Sequence, residues 1–334
     1  MLFMVLNSQK SYGLLFVALL ATVSYFVVYI PWIAKTGISS LVVAIVLGMF
    51  IGNIWHLPHS YTPGIQYAAK QLLRLSIILY GFRISFQQMV ALGMEAFVLD
   101  CLVVTLTLIV GYFVGRKLLK LDHELSLLIS AGAAICGAAA VLAVESIIKS
   151  EPYKATVAIG TVVLFGTTSM FLYPFLQHAG GLGLTNSQFG LFAGASIHEV
   201  AQALVAGNNI NPEVGQVAVI VKMIRVLLLV PVLFLFSMLN NRFSSQHKKS
   251  KLIIPWFAVF FVVMIGFHSL SLFPQSIVNY INQLDIFLLT MAMGAIGIET
   301  KWNKIKTVGL KPLYLAIILF IWLAISVDGM VRFI

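Results

Sequence analysis

The feature that most limits the fold of this chain is a series of eleven apolar segments, most of them long enough to cross a bilayer. A helix needs about 20 mostly apolar residues to cross the hydrocarbon core, and the polar breaks between the segments are short. The segments are 12–34, 37–54, 66–86, 91–115, 125–148, 153–177, 187–207, 213–239, 253–272, 283–299 and 311–333. They predict an all-α polytopic membrane protein with about eleven transmembrane helices.

Composition supports this class and excludes others. Of the 334 residues, 60% are hydrophobic and 10% are charged, whereas a soluble domain is about 45–50% apolar and about 25% charged. A soluble enzyme, a disordered regulator and a secreted disulfide scaffold are therefore excluded. The net charge of +10 is spread over short loops, which indicates orientation in a lipid bilayer and not the binding of nucleic acid.

Lys and Arg residues fall mainly on one side of the membrane when the eleven segments alternate in direction. There are 13 on the side of the N-terminus and 5 on the other, while Arg74, Lys222 and Arg225 lie within segments. Because cytoplasmic loops carry the excess of positive residues, we expect a cytoplasmic N-terminus and an extracytoplasmic C-terminus.

Internal similarity predicts a repeated architecture. Segments two to six resemble segments seven to eleven, so we predict an N-terminal helix over 1–36 and two five-helix repeats over 37–180 and 181–334. Since five is an odd number of crossings, the second repeat would be inverted. A competing similarity joins Ala131–Ile135 to Ala193–Ile197, which are two segments apart and on that count not inverted.

The fifth segment is unusually poor in side-chain bulk, because eight of the eleven residues in Ser130–Ala140 are Ala or Gly. Small residues let two helices approach closely, but they equally suit a helix interrupted in mid-membrane, whose half-helix N-terminus attracts anions. The tenth segment repeats the pattern. Read as a pair of discontinuous helices, these segments predict substrate-binding positions at Ser130, Gly132, Cys136, Gly137, Gly294 and Gly297.

The seventh segment places two ionisable residues, His198 and Glu199, in the middle of an apolar run, with Gln202 one turn beyond His198. Ionisable groups at that depth are costly and usually face a cavity or one another. A zinc-protease motif is excluded because Gln202 stands where the second His is needed. These residues form either a buried brace between helices or a site for substrate or a coupling proton.

Basic residues also lie deep in the apolar runs. Lys222 and Arg225 share one face of the eighth segment, and Arg74 is the matching residue of the third. Each needs a negative partner, either in internal ion pairs or in a bound anion. Because these bases outnumber the acids singled out, we predict a small anionic substrate held by Lys222, Arg225 and Arg74. The candidates for coupling to Na⁺ or a proton are His198, Glu199, Gln202 and Glu145, and no other cofactor is expected.

Several stretches taken together resemble one known family. They are Ala69–Arg74, Gly81–Arg83, Ile135–Ala138, Ala193–Gln202, Val221-Lys222, Arg225–Leu228 and Gly309–Leu313. In these stretches the chain is similar to the sulfate exporter family of YeiH-like bacterial inner-membrane proteins, which distantly resembles bile acid:sodium symporters. The resemblance implies a plasma-membrane carrier with two inverted five-helix repeats and two crossing discontinuous helices. Ala133 and Ala134 stand where the family leads us to expect Thr-Ser, which removes two hydroxyls from the implied site.

These observations predict a secondary carrier that moves a small anion (sulfate, sulfite, a sulfonate or a small organic anion) by alternating access, coupled to protons or Na⁺. The alternative is a membrane sensor or assembly factor that binds an anion without moving it. We expect no enzyme, because the sequence shows no nucleophile–base pair and no complete metal motif. A homodimer is a candidate assembly.

Overall fold

Helices form in all eleven predicted segments of the chain. The computed structural model describes residues 2–28, 30, 39–55, 57–243, 256–271, 273–301 and 309–334. The helices are α1 (Leu2–Val27), α2 (Ser40–Ile54), α3 (Thr62–Tyr67), α4 (Leu73–Tyr80), α5 (Phe86–Phe113), α6 (His123–Ala134), α7 (Ala138–Ile148), α8 (Pro152–His178), α9 (Asn186–Ser196), α10 (Val200–Asn208), α11 (Pro212–Leu227), α12 (Leu229–Phe243), α13 (Trp256–Ser269), α14 (Gln275–Glu299) and α15 (Leu310–Val331). A π-helical turn at Ala68–Leu72 joins α3 to α4.

The length and hydropathy of the helices confirm an all-helical polytopic membrane protein. Among the described residues, six stretches are long and apolar enough to cross a membrane: Lys10–Val27, Met89–Leu118, Tyr153–His178, Pro212–Phe236, Gln275–Glu299 and Leu310–Val331. Two further apolar helices in the same ranges, α2 and α13, are shorter than a membrane span.

The chain divides into two units, each built from separate parts of the sequence. The first contains residues 1–89 and 256–303, and the second contains residues 90–255 and 304–334. The predicted repeats, 37–180 and 181–334, each contribute to both units. That division stays a prediction, and its boundary at 36/37 lies outside the described residues.

In the first unit, α14 packs closely along α2. A Cβ atom added to Gly48 would overlap the carbonyl oxygen of Gly294, and one added to Gly297 would overlap that of Ile45. The glycines of the tenth segment therefore allow two helix backbones to touch, as the first interpretation of small residues requires. Because α14 runs unbroken from Gln275 to Glu299, the predicted interruption near Gly294 and Gly297 is wrong.

In the second unit, the fifth segment is a helical hairpin. At one end, Lys154 Nζ near the start of α8 donates to Glu124 Oε2 near the start of α6, at 2.9 Å. Further along the same two helices, a Cβ atom on Gly132 would lie 2.8 Å from Val162 Cγ2. The helices α6 and α8 thus run side by side in one direction, so α7 brings the chain back to its starting level. The interruption predicted for this segment is confirmed, but the chain doubles back there and does not continue in the same direction.

The seventh segment is a second hairpin. A Cβ atom on Gly190 would lie 2.7 Å from Val217 Cβ, and one on Gly194 would lie 2.6 Å from Val221 Cβ, so α9 and α11 run in the same direction. The intervening helix α10 returns, and its Gly207 packs against Gly215 at the start of α11. We did not predict an interruption here.

The two hairpins approach from opposite ends of α8. The first begins beside the start of α8, whereas the second lies beside its end, where the rings of Tyr173 and Phe192 are 4.8 Å apart. One crossing helix therefore separates the hairpins, and they are inverted relative to each other. The stretches Ala131–Ile135 and Ala193–Ile197 close the first arm of each hairpin. Our expectation that this pair is not inverted is wrong, because each segment doubles back.

Local sequence explains where the arms begin. The carboxylate of Asp122 accepts a hydrogen bond from the amide of Leu125 at the start of α6, and Thr185 forms a capping box with Gln188 at the start of α9. Such caps satisfy amides that have no acceptor within their own helix. At the turns inside the hairpins, the N-cap residues are Gly137, which has no side chain, and Glu199, whose side chain does not cap its own helix.

Candidate functional site

The turns of the two hairpins meet inside the second unit. We call residues 135–137 the first tip and residues 197–199 the second tip. Glu199 Oε1, in the second tip, accepts a hydrogen bond from the amide of Ala138, at 3.4 Å. Gly137 has φ +73° and ψ −133°, and a Cβ atom there would lie 2.6 Å from Glu199 Cγ. Only glycine suits both this backbone conformation and this close approach.

Two helices begin at these tips, α7 at the first and α10 at the second. The first amides of a helix have no acceptor within it, and they carry a partial positive charge. Glu199 is the N-cap residue of α10, while its carboxylate binds the first amide of α7. A half-buried negative group therefore already occupies the positive end of α7.

The carbonyl end of α9 is bound by two basic residues of α11. Lys222 Nζ donates to the carbonyl of Ile197, and Arg225 Nη2 lies 3.2 Å from the same oxygen and 3.5 Å from that of Gly194. Both basic side chains are fully buried. Cations at the C-terminal end of a helix are favourable by about 0.3–1 kcal/mol, and by more in buried positions. The two predicted substrate residues therefore also hold the second tip in place.

Asp100 of α5 is a functional candidate that the sequence analysis missed. Its carboxylate is fully buried, and Oδ1 lies 3.8 Å from Nε of Arg225. The missed signal is an acid in the middle of an apolar segment, which is the criterion that selected Glu199. With Asp100 included, two acids balance Lys222 and Arg225, so the excess of positive charge inferred from the sequence does not exist at this site.

His198 lies in the second tip, and Gln202 lies one turn further along α10. His198 is buried, and its Nδ1 has no hydrogen-bond partner among the described residues. Gln202 Nε2 lies 3.5 Å from Thr167 Oγ1 of α8, while its Oε1 lacks a partner in the same part of the chain. Cys136 is buried in the first tip. The tips thus combine free polar side-chain atoms with helix ends.

Comparisons with known proteins give the family. A family model described as conserved hypothetical protein 698 matches residues 12–316. A UPF0324 membrane protein of Bacteroides thetaiotaomicron is 43% identical over 96% of this chain and 98% of its own length. The UPF0324 inner membrane protein YeiH of Escherichia coli strain K12 is 44% identical over 89% and 86%. The chain belongs to this family. The resemblance seen in the sequence is therefore confirmed.

One solved structure is similar at a low level. The sodium proton antiporter MjNhaP1 of Methanocaldococcus jannaschii is 15% identical and has a TM-score of 0.31, covering 97% of this chain and 99% of its own. A similarity of that size supports no conclusion about this member of the UPF0324 family.

Two predicted site residues of this UPF0324 protein, Ser130 and Glu145, lie away from the tips within the second unit. Ser130 donates to the carbonyl of Ser126 at 2.6 Å and packs against Gly111 of α5. Gly132, by contrast, borders the first tip, because its carbonyl accepts the amide of Gly137 at 3.0 Å. Glu145 is half-buried near the far end of α7, about 10 Å along the helix from Ala138. Two groups belong to the first unit, namely the exposed Arg74 and the packed glycines Gly294 and Gly297.

The predicted residues that the structure does bring together are Cys136, Gly137, His198, Glu199, Gln202, Lys222 and Arg225. Within the described ranges, no group of three His, Cys, Asp or Glu residues is arranged to hold a metal ion.

Proposed function

We propose that this protein is a secondary carrier that moves a small anion across the bacterial plasma membrane by alternating access. The observation that supports it is the contact between two inverted re-entrant hairpins. Non-helical backbone at membrane depth is tolerated where it is buried in protein or lines a cavity, and inverted elements that meet near the midplane are typical of carriers. Moving either hairpin would open the tips toward one side of the membrane.

An anion suits the groups at the tips. The amides that begin α7 and α10 would bind its oxygens, and Lys222 and Arg225 would supply positive charge nearby. The carboxylate of Glu199 already binds one of these amides, which supports an oxyanion as ligand. Sulfate, sulfite, sulfonates and small carboxylates all have this chemistry. The coupling ion would be a proton or Na⁺, with His198, Glu199 and Gln202 as the candidates present at the tips.

The positive residues support a topology in which both termini keep their predicted sides. Treating two segments as hairpins removes two crossings, so the C-terminus stays extracytoplasmic. It also moves Lys149 and Lys154 to the cytoplasmic side, and the count changes from 13 against 5 to 15 against 3. The stronger bias favours entry of the first hairpin from the cytoplasm and of the second from outside.

Binding and uptake measurements test the proposal. Thermal shifts of the purified protein would be recorded with sulfate, sulfite, methanesulfonate and acetate, with and without Na⁺, and chloride would be the control for ionic strength. We expect at least one oxyanion to stabilise the protein and to enter proteoliposomes faster than protein-free vesicles. Stabilisation without uptake would favour the sensor. If the anions neither stabilise the protein nor enter the proteoliposomes, both functions are contradicted.

A further inference from the structure

Asp100 and Arg225 form a buried pair with unused hydrogen-bonding atoms. Both side chains are fully buried, and Arg225 Nε lies 3.8 Å from Asp100 Oδ1. In the described part of the chain, neither carboxylate oxygen of Asp100 accepts a hydrogen bond, and neither Nε nor Nη1 of Arg225 donates one. Arg225 uses only Nη2, which donates to the second tip.

This geometry is unusual for a permanent ion pair. An Arg–carboxylate pair normally forms hydrogen bonds of about 2.7–2.9 Å, because only good geometry offsets the cost of burying two charges. Here Arg225 Nε and Asp100 Oδ1 are close enough for their charges to attract but too far apart for a hydrogen bond. The pair therefore has spare donors on Arg225 and spare acceptors on Asp100, which suits a site where partners change.

The charged and titratable groups around the pair come from four elements. Lys222 lies on the same helix as Arg225, Glu199 and His198 are in the second tip, Cys136 is in the first tip, and Cys101 follows Asp100 on α5. With Lys222 and Arg225 positive and Asp100 and Glu199 negative, the formal charges cancel. An added anion would upset this balance unless a proton came with it.

We propose that Asp100 is the proton-binding group of the carrier, and that its carboxylate and the transported anion alternate as partners of Arg225. This inference rests on the proposed function and extends it. A proton adds to one Asp100 oxygen, forming an O–H bond and a neutral carboxyl. The unused Nε–H and Nη1–H groups of Arg225 then donate to an oxygen of the anion, which replaces the carboxylate as the negative partner.

The charge balance fixes the expected stoichiometry. One proton neutralises one carboxylate, and one monovalent anion replaces its charge beside Arg225. A monovalent anion therefore moves with one proton and without net charge, whereas a divalent anion moves with one net negative charge. When the anion leaves, Asp100 releases its proton and pairs with Arg225 again.

The surroundings of Asp100 suit the binding of a proton better than the binding of Na⁺. Asp100 is also better placed than Glu199 to bind that proton. A metal cation needs several oxygen ligands, and the guanidinium of Arg225 at 3.8 Å would repel it, whereas a proton needs a single oxygen. Glu199 already accepts the amide of Ala138, and protonation would remove that stabilising partner from α7. Both oxygens of Asp100 lack a donor in the described residues.

Proton movement is measured in proteoliposomes that contain the dye pyranine, with methanesulfonate as the monovalent probe and sulfate as the divalent one. For the wild type, we expect an inward methanesulfonate gradient to acidify the lumen regardless of a K⁺ diffusion potential. Asp100→Asn should lower the proton flux per anion at least tenfold and should leave anion binding independent of pH. Glu95→Gln, an exposed acid on the same helix, is the matched control and should behave as wild type.

Infrared difference spectra test Asp100 without any transported anion. Acidification should produce a carboxyl C=O band in the wild type and in Glu95→Gln. This band should be absent from Asp100→Asn. If Asp100→Asn does not fold, Asp100→Glu should shift the band and retain coupling. Three results would each overturn the inference. They are a band that Asp100→Glu does not shift, proton-coupled uptake by Asp100→Asn, and uptake driven by Na⁺. A band assigned to Asp100 in a protein that binds and moves no anion would instead contradict the proposed function alone.

Discussion

Glu199 caps a helix to which it does not belong. It is the N-cap residue of α10, but its Oε1 lies 3.4 Å from the amide of Ala138, the first residue of α7. A helix N-terminus favours a negative group by about 0.3–1 kcal/mol, and by up to about 2 kcal/mol when partly buried. In the proposed carrier, this carboxylate occupies amides that would otherwise bind the substrate.

Glu199→Gln should therefore tighten anion binding. The amide side chain retains an acceptor oxygen but loses the negative charge that competes with the substrate, and about 1.4 kcal/mol corresponds to a tenfold lower Kd. The measurement is a titration of the purified protein with whichever oxyanion stabilises the wild type. Glu145→Gln, on the first hairpin and away from the tips, should leave the Kd unchanged. Equal or weaker binding by Glu199→Gln would contradict the competition.

Gly137→Ala should displace the first tip. A residue with a side chain is strained at φ +73° by about 1–3 kcal/mol, and its Cβ atom would lie 2.6 Å from Glu199 Cγ. We expect a lower Tm in detergent and at least a tenfold loss of anion uptake. Gly93→Ala on α5 is the control, because nothing lies within 4 Å of its added Cβ atom. Uptake at the wild-type rate by Gly137→Ala would show that the tip contact is not needed.

Single and double substitutions should reveal the energetic coupling of Asp100 and Arg225. Removing one partner leaves a buried charge without compensation, which costs about 3–5 kcal/mol. The double variant Asp100→Ala/Arg225→Ala should be more stable than the sum of the single effects predicts, by about 0.5–3 kcal/mol. The measurement is the free energy of unfolding in detergent. Additive effects would indicate that Arg225 acts only through the carbonyls of the second tip.

The glycines of the tenth segment should matter for stability and not for binding. Gly297→Ala would force α14 away from Ile45 and Gly48 of α2, and overpacking of this kind costs about 1–3 kcal/mol. We expect a lower Tm and an unchanged Kd for the anion. Gly266→Ala on α13 has open space around the new Cβ atom and should leave the Tm unchanged. A higher Kd for the anion in folded Gly297→Ala would indicate that Gly297 does contribute to substrate binding.

Stability should fall in acid partly because of Asp122 at the outer end of the first hairpin. Burial alone would raise its pKa, but the Leu125 amide and Lys154 outweigh burial and hold the pKa of Asp122 below its ordinary value of 3.8. Because the folded state holds the charged form more strongly, this stabilisation is present above about pH 4 and is lost as the pH falls through the folded value. The Tm of Asp122→Asn should therefore depend less on pH between about 3 and 5 than that of the wild type. Identical pH profiles would contradict this contribution.

The amino-acid sequence by itself determined the class of the protein and most of its unusual residues. Eleven apolar segments can only be buried in a bilayer as helices, and the run around Gly132 and Gly137 stands out because it has so little side-chain bulk. The ionisable residues His198, Glu199, Lys222 and Arg225 stand out because their burial in an apolar run is costly.

Only the tertiary structure decided which segments cross the membrane and which double back. The two arms of residues 123–148 are 12 and 11 residues long, about 18 Å each, which is too short for a core of about 30 Å. Joined end to end in the sequence, they have the length and hydropathy of one span. Likewise, a run of small residues suits a close helix contact or an interruption, and the neighbouring helix selects between them: Gly297 faces the backbone of Ile45, whereas Gly137 faces Glu199. Asp100 gained its meaning only when folding placed it beside Arg225, 125 positions away in the sequence.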